Sequence, residues 1–170
     1  MTIRGPIVGM ILGITALLAA AYLKPSIRLV YNPTDSAPRG WYVVVPMIRA
    51  HPDDDVVALL PSDTAALAAT RGYLSRSVPI LKHIAAVAGQ HVCIRDTVVY
   101  IDGNAVARTL DSDAKARPLT AWARCRHLVG DELFLLNPHN KASFDGRYFG
   151  PLDASFVRGR AIPLATSDGQ

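Results

Sequence analysis

No run of basic residues and no aromatic-interleaved basic patch occurs in the chain, although its formal net charge is +4. The scattered cations exclude a nucleic-acid footprint and fit better with work beside an anionic membrane surface. Cys-x-x-Cys and paired-histidine spacings are absent too, and zinc usually takes four such ligands, so no metal site is expected. One acidic cluster, His51-Pro52-Asp53-Asp54-Asp55, could suggest a cation. Three consecutive carboxylates cannot all point one way, however, and proline marks a turn, which reads as a solvated loop. Internal repeats and low-complexity tracts are missing, and half of the 170 residues are apolar, which excludes disorder and leaves one domain with a real core.

Long apolar runs are also scarce, with one exception. "PIVGMILGITALLAAAYL", residues 6–23, holds no charge and is flanked by Arg4 and Lys24. Its length lies between a signal h-region of about 7–15 residues and a spanning helix of about 17–25. Ala19-Ala20-Ala21 supplies small residues of the kind that signal cleavage uses, while Lys24 and Arg28 weaken a positive-inside argument. Residues 1–24 are therefore predicted to be a signal peptide or membrane anchor, and both readings carry residues 25–170 across a membrane. A buried core helix is disfavoured because no polar face interrupts the run.

Cysteine is limited to Cys93 and Cys125. In an exported chain such a pair persists as a disulfide. Closing a loop of about thirty residues contributes roughly 3–4 kcal/mol in the chain-entropy account. Two unpaired buried thiols are the alternative.

Beyond the apolar segment, strand-like runs recur between turn signals: residues 41–45, 55–60, 80–87, 91–96, 98–106, 132–137 and 156–164. They predict a mainly β domain. Asp102-Gly103-Asn104 reads as a hairpin turn. "SDTAALAATRG" predicts a helix, capped by Ser62 or Asp63 and ended by Gly72. The turn-rich stretch 111–126 lies between two blocks of strands, and residues 90–127 are predicted to form a small inserted β subdomain stapled at its edges by the cysteines.

Chemistry concentrates in three places. In "NPTDSAPRGWYVVVP", residues 32–46, two prolines restrict the backbone around Ser36 before Gly40 opens a strand. Such stiffness suits a nucleophile, although tight turns of this composition are common in β proteins. A serine nucleophile needs a base. Lys82 lies in "VPILKHIAAVAG", among apolar residues whose burial would lower its pKa. A lysine whose stem covers apolar surface while its ammonium reaches water is the ordinary alternative. His83 competes with it. In a strand the two neighbours face opposite sides, and periodicity alone does not choose between them. The third place is "NPHNKASFDGRYFGPL", residues 137–152. There Ser143, Asp145 and Arg147 alternate, so an extended backbone would set them on one side.

Ser36-Ala37-Pro38-Arg39-Gly40-Trp41-Tyr42 resembles the nucleophile box of the signal-peptidase-like serine peptidases, specifically the TraF-type conjugative-transfer peptidases. "RGYLSRSVPILKHIAAVAGQHVC" resembles their lysine box, and "SFDGRYFGPL" their C-terminal box, in the same order. The resemblance implies a signal-peptidase-like β fold and a periplasmic Ser/Lys dyad in which Lys82, rather than His83, takes the proton from Ser36. It implies oxyanion support from Thr34 and loop support from Asp145 and Arg147. It also implies a membrane-inserted conjugative propilin as substrate, cleaved and possibly cyclised, with no cofactor and no nucleic-acid partner. The rival readings are a general signal peptidase that removes export leaders, and a non-catalytic anchored component of the transfer apparatus. One position departs from the family pattern: Gly146 stands where relatives commonly carry serine.

Overall fold

The computed structural model describes residues 4–22, 29–137 and 139–166. Helix α1 (Arg4–Tyr22) carries the uncharged run. Its large apolar side chains, Ile7, Val8, Met10, Ile11, Leu12, Ile14, Leu17 and Leu18, are all exposed. Among the described residues no helix is long and apolar enough to cross a membrane.

The rest is mainly β, as the recurrent short runs predict. The strands are β1 (Leu29–Asn32), β2 (Gly40–Val45), β3 (Asp55–Ala58), β4 (Ile80–Val87), β5 (His91–Arg95), β6 (Val98–Ile101), β7 (Asn104–Arg108), β8 (Cys125–His127), β9 (Glu132–Leu136), β10 (Leu152–Asp153) and β11 (Val157–Thr166). They form a seven-stranded sheet in the order β1-β2-β11-β3-β4-β9-β10 and a four-stranded sheet in the order β7-β6-β5-β8. Every pairing is antiparallel.

The small sheet occupies residues 91–127 and packs on the large one through a shared core. Phe134 and Leu136 of β9 and Ala86 of β4 meet Val92, Ile94, Val99 and Ile101 of β5 and β6. Cys93 and Cys125 stand opposite each other in the β5–β8 register and are disulfide-bonded.

Helix α2 (Ser62–Thr70) forms where alanine and leucine favour it, but its start differs from the expected cap. Pro61 occupies the N-cap, and neither Ser62 nor Asp63 caps the helix; Ser62 Oγ instead donates to the Asp63 carboxylate. Proline presets the φ needed for entry, and the first-turn donors need no side-chain cap where they face solvent. The other end follows the sequence. Gly72, at φ 69°, and Tyr73 donate their N–H groups to Ala69 and Ala68, which closes the helix in a Schellman motif.

Gly40 begins β2 rather than sitting in a turn ahead of it. A Cβ there would lie 2.1 Å from the Ala165 carbonyl oxygen, so glycine lets β11 approach. This close pairing sets β2 directly behind the Ser36 loop.

Candidate active site

The nucleophile loop, residues 33–39, links β1 to β2. Asn32, the last residue of β1 and buried, organises it. Its amide donates to the carbonyls of Thr34, Ala37 and Pro38, and its Oδ1 accepts from Thr34 N and Thr34 Oγ1. The buried Tyr42 hydroxyl also donates to Pro38 O, at 2.7 Å. Ser36 is part-buried in this loop. Its hydroxyl lies 2.9 Å from Thr34 Oγ1 and 3.3 Å from Asn32 Oδ1. Those are the Ser36 hydroxyl's hydrogen-bond partners among the described residues; Lys82 is not one of them.

Lys82 lies on the buried side of β4, between β3 and β9. Only 5% of its surface is exposed, and its Nζ donates to Ser143 Oγ at 2.5 Å. Burial lowers its pKa to about 8, the nearby Asp145 carboxylate opposes that shift, and the Arg147 guanidinium adds to it. An ordinary lysine that snorkels to water is therefore not what forms. His83 faces the other way, as strand alternation requires. Its ring nitrogens contact Asp53 of the acidic loop and Asp55 at the start of β3, at 3.2 and 3.3 Å.

The third segment, 137–147, brings Ser143 to Lys82. Here the expected extended alternation gives way to a short helix, α3 (Gly146–Phe149), with Asp145 at its N-cap. Asp145 Oδ1 accepts from Arg147 N and Nε, while Oδ2 accepts from Arg147 NH2 and from Asn137 N. Asp145 and Arg147 still face each other, through capping rather than through strand periodicity. Both are buried, at 0% and 1% exposure, so this is no surface ion pair. Arg147 also donates to the carbonyls of Arg108, Asn140, Lys141 and Ser143, which cinches the loop beneath Ser143. Gly146 is required at its position: a Cβ would fall 2.7 Å from Leu135 O and 2.9 Å from the Phe134 ring.

Asn137, which sequence reasoning did not single out, joins the two halves of the site. Its Nδ2 donates to Asp35 O at 2.7 Å, next to Ser36, while its own N–H reaches Asp145. Its Oδ1 accepts from His139 N and Asn140 N. The Asn137-Pro138 turn signal was legible; the reach across 102 residues was not. Asn32 was missed as well, because nothing in strand spacing marks a strand-terminal amide as a loop organiser.

Ser36, Lys82, Ser143 and Thr34 all line one cleft of about 690 Å³. Its walls are largely apolar, including Leu60, Leu74, Val78 and Phe144. A part-buried hydroxyl and a desolvated amine on the wall of an apolar cleft are the types of group that acyl transfer needs as nucleophile and base. Among the described residues no cluster of three metal-ligating side chains occurs.

The family described as "Signal peptidase, peptidase S26" matches residues 2–165. The "Conjugal transfer protein TraF" of Agrobacterium tumefaciens (strain 15955) is 33% identical over 157 residues, which cover 88% of each chain. The "Probable conjugal transfer protein TraF" of Sinorhizobium fredii is 32% identical over 145 residues, covering 79% of this chain and 76% of the relative. The crystal structure of a signal peptidase I from Enterococcus faecalis V583 superposes with a TM-score of 0.42 at 18% identity, covering 67% of this chain and 97% of that one.

Proposed function

The chain belongs to the signal peptidase, peptidase S26, family as a TraF-type member, and we propose that it is the serine endopeptidase of a conjugative-transfer system that matures a propilin through a Ser36/Lys82 dyad. The observation that carries this reading is Lys82. A lysine buried to 5% exposure, with its pKa lowered to about 8, is neutral in about a tenth of molecules at pH 7. Such an amine can act as a base where an ordinary lysine cannot.

In the proposed reaction the Ser36 hydroxyl turns from Thr34 towards the cleft and attacks a peptide carbonyl. Lys82 takes its proton and returns it to the departing amine, leaving an acyl-enzyme. The Ser36 N–H, which donates to Thr34 Oγ1 at 3.4 Å in the resting loop, and the Thr34 hydroxyl, 2.9 Å from Ser36 Oγ, would turn to the forming oxyanion as its donors. Ser143 holds Lys82 in place, and Asp145 with Arg147 holds Ser143. Water or an amine then resolves the acyl-enzyme.

The exposed apolar side chains of α1 support placement at a membrane, with this segment either cleaved after export or retained as an anchor, and the catalytic residues in the periplasm. A substrate emerging from the inner membrane is suited to that placement. No cofactor takes part in the steps proposed.

The test is mass spectrometry of the candidate pilin from cells carrying the wild-type chain, Ser36→Ala, Lys82→Ala or His83→Ala. Truncated or cyclised pilin is expected with the wild type and with His83→Ala, and unprocessed pilin with the other two. Full processing by Ser36→Ala or Lys82→Ala would sink the dyad. Unprocessed pilin with His83→Ala alone would transfer the base role to His83.

A further inference from the structure

Thr34 lies on the exposed rim of the cleft, where water competes for a hydroxyl. A threonine left to itself there would turn between staggered rotamers, and its hydroxyl would hold no fixed direction. Here the side chain is fixed from behind by Asn32, which is only 4% exposed and therefore offers a dry acceptor.

The donor and acceptor inventory decides which way each proton points. The Asn32 amide has one workable orientation. Its Nδ2 lies 2.9 Å from Thr34 O, 2.9 Å from Ala37 O and 3.3 Å from Pro38 O, which only accept, and its Oδ1 lies 3.2 Å from Thr34 N, which only donates. Oδ1 carries no proton, so across its 2.9 Å contact with Thr34 Oγ1 the threonine is the donor. A hydroxyl has one proton and two lone pairs. With that proton committed to Asn32, the 2.9 Å contact between Thr34 Oγ1 and Ser36 Oγ has Ser36 as its donor, and the Ser36 N–H takes the other lone pair at 3.4 Å. The Thr34 hydroxyl is thus fully used. The Ser36 proton is turned towards Thr34 and Asn32, whose Oδ1 lies 3.3 Å from Ser36 Oγ.

Holding the loop together is not what sets Asn32 apart. Tyr42 donates to Pro38 O and Asn137 donates to Asp35 O, so the loop is tied at two further carbonyl contacts. The distinctive contact is the one from Asn32 Oδ1 to the Thr34 hydroxyl. From the rotamer this bond selects, the Thr34 oxygen need not move during a reaction at Ser36. Rotation about the Cβ–Oγ1 bond alone carries the proton from Asn32 to an oxyanion beside Ser36, while Asn32 Oδ1 keeps Thr34 N as a donor.

We propose that Asn32 is the positioning residue of the oxyanion site, holding the Thr34 side chain in the one rotamer from which its hydroxyl reaches the forming oxyanion. It acts through Thr34 rather than on the substrate. The inference rests on the peptidase reading, since it takes Thr34 as an oxyanion donor. The same bond also orders the resting state, because a Thr34 proton given to Asn32 leaves Thr34 Oγ1 as the acceptor that keeps the Ser36 proton away from Lys82.

A double-mutant cycle in the full-length chain tests this, with kcat and KM measured on a soluble peptide spanning the candidate pilin's cleavage site and folding checked by Tm. Thr34→Val, which keeps the branched shape, is expected to lower kcat about 100-fold. Asn32→Ala is expected to lower it about 30-fold with little change in KM. In the Thr34→Val background Asn32→Ala should cost no more than about threefold, because the hydroxyl it aims is already gone. Thr34→Ser, which restores a hydroxyl, should recover kcat to within about fivefold of the wild type while Asn32 is present, and should lose it again with Asn32→Ala. Equal losses from Asn32→Ala in the wild-type and Thr34→Val backgrounds would mean that Asn32 only scaffolds the loop, and would overturn the proposal. If Asn32→Ala fails to fold, Asn32→Ser, too short to reach Thr34, decides by the same comparison. A wild-type chain that cleaves neither the peptide nor membrane-embedded pilin would overturn the peptidase reading and the proposal together, whereas equal losses in an active chain overturn the proposal alone.

Discussion

Asp145→Asn tests the site most stringently, because its two expected effects have opposite appearances. The substitution keeps the side chain's shape but removes the charge that accepts from Arg147 and from Asn137 N. Breaking a buried ion pair by removing one partner costs about 3–5 kcal/mol. Arg147 keeps carbonyl acceptors from Arg108, Asn140, Lys141 and Ser143, which puts the loss near the lower end, about 3 kcal/mol. For a domain of this size that corresponds to a Tm lower by about 6–12 °C. The effect on Lys82 runs the other way. Burial is the main cause of its lowered pKa, Arg147 adds to it, and Asp145 alone among the contributing groups opposes it. Without the carboxylate, both remaining causes favour the neutral amine. The acidic limb of kcat/KM, expected near pH 8 in the wild type, should therefore move down by about one pH unit while the protein becomes less stable. Thermal denaturation gives the first quantity, and cleavage of a soluble peptide from pH 5 to 9 gives the second. A limb that moves upward, or an unchanged limb together with an unchanged Tm, would refute the assignment of these charges.

Two further predictions address Lys82 and Asn137. The folded pKa of Lys82, about 8, lies below its unfolded value of 10.5, so the unfolded chain holds more protons between those pH values and this group's contribution to stability rises with pH across that window. Relative to the wild type, Lys82→Met should thus be more stabilising at pH 6 than at pH 10.5, by about 3 kcal/mol, while abolishing cleavage; a pH-independent difference in urea denaturation would contradict the buried ammonium. Asn137→Ala should lower kcat by about 10- to 100-fold with little change in KM, since it releases the Ser36 loop from the Lys82 side rather than altering the cleft wall; a change confined to KM would show that Asn137 does not align the two halves.

The strands were legible because alternation and turn chemistry agree along most of the chain. β4 is the clearest case: its apolar run spans 80–87 in both the sequence reading and the structure. β1 and β8 were not legible, being four and three residues long and defined by their partners β2 and β5 rather than by their own pattern. α3 was misread for a specific reason. Alternating Ser143, Asp145 and Arg147 suits an extended loop, but Asp145 is also a good N-cap, and its side chain accepts from Arg147 N at the start of a short helix. At the site, proline restraint and apolar surroundings made Ser36 and Lys82 candidates, but His83 remained a rival base until the resemblance to the peptidase family favoured the lysine. The bond from Lys82 to Ser143, 61 residues apart, could not be read from the sequence. Neither could the amides of Asn32 and Asn137, whose partners exist only after the segments meet.

The resting arrangement bears on how such a site avoids idle chemistry. Ser36 is hydrogen-bonded to Thr34 and Lys82 to Ser143, so the proposed nucleophile and the proposed base each have another partner. A serine rotates between staggered wells readily, and giving up one neutral hydrogen bond costs about 1 kcal/mol, so the separation is no large barrier to reaction. Protonation is the stronger restraint, since near pH 7 about nine-tenths of Lys82 is charged and cannot act as a base. A peptide filling the apolar cleft would exclude water from the amine and push its pKa lower still. Under the proposed mechanism, then, the ligand that needs the base also helps to create it. The cost of keeping a lysine dry is met by the same bonds that hold the site in shape: among the described residues every buried side-chain polar atom has a hydrogen-bond partner. Asp145 and Arg147 therefore matter less as direct participants than as the fixed charges that set how far the Lys82 pKa falls and where Ser143 stands.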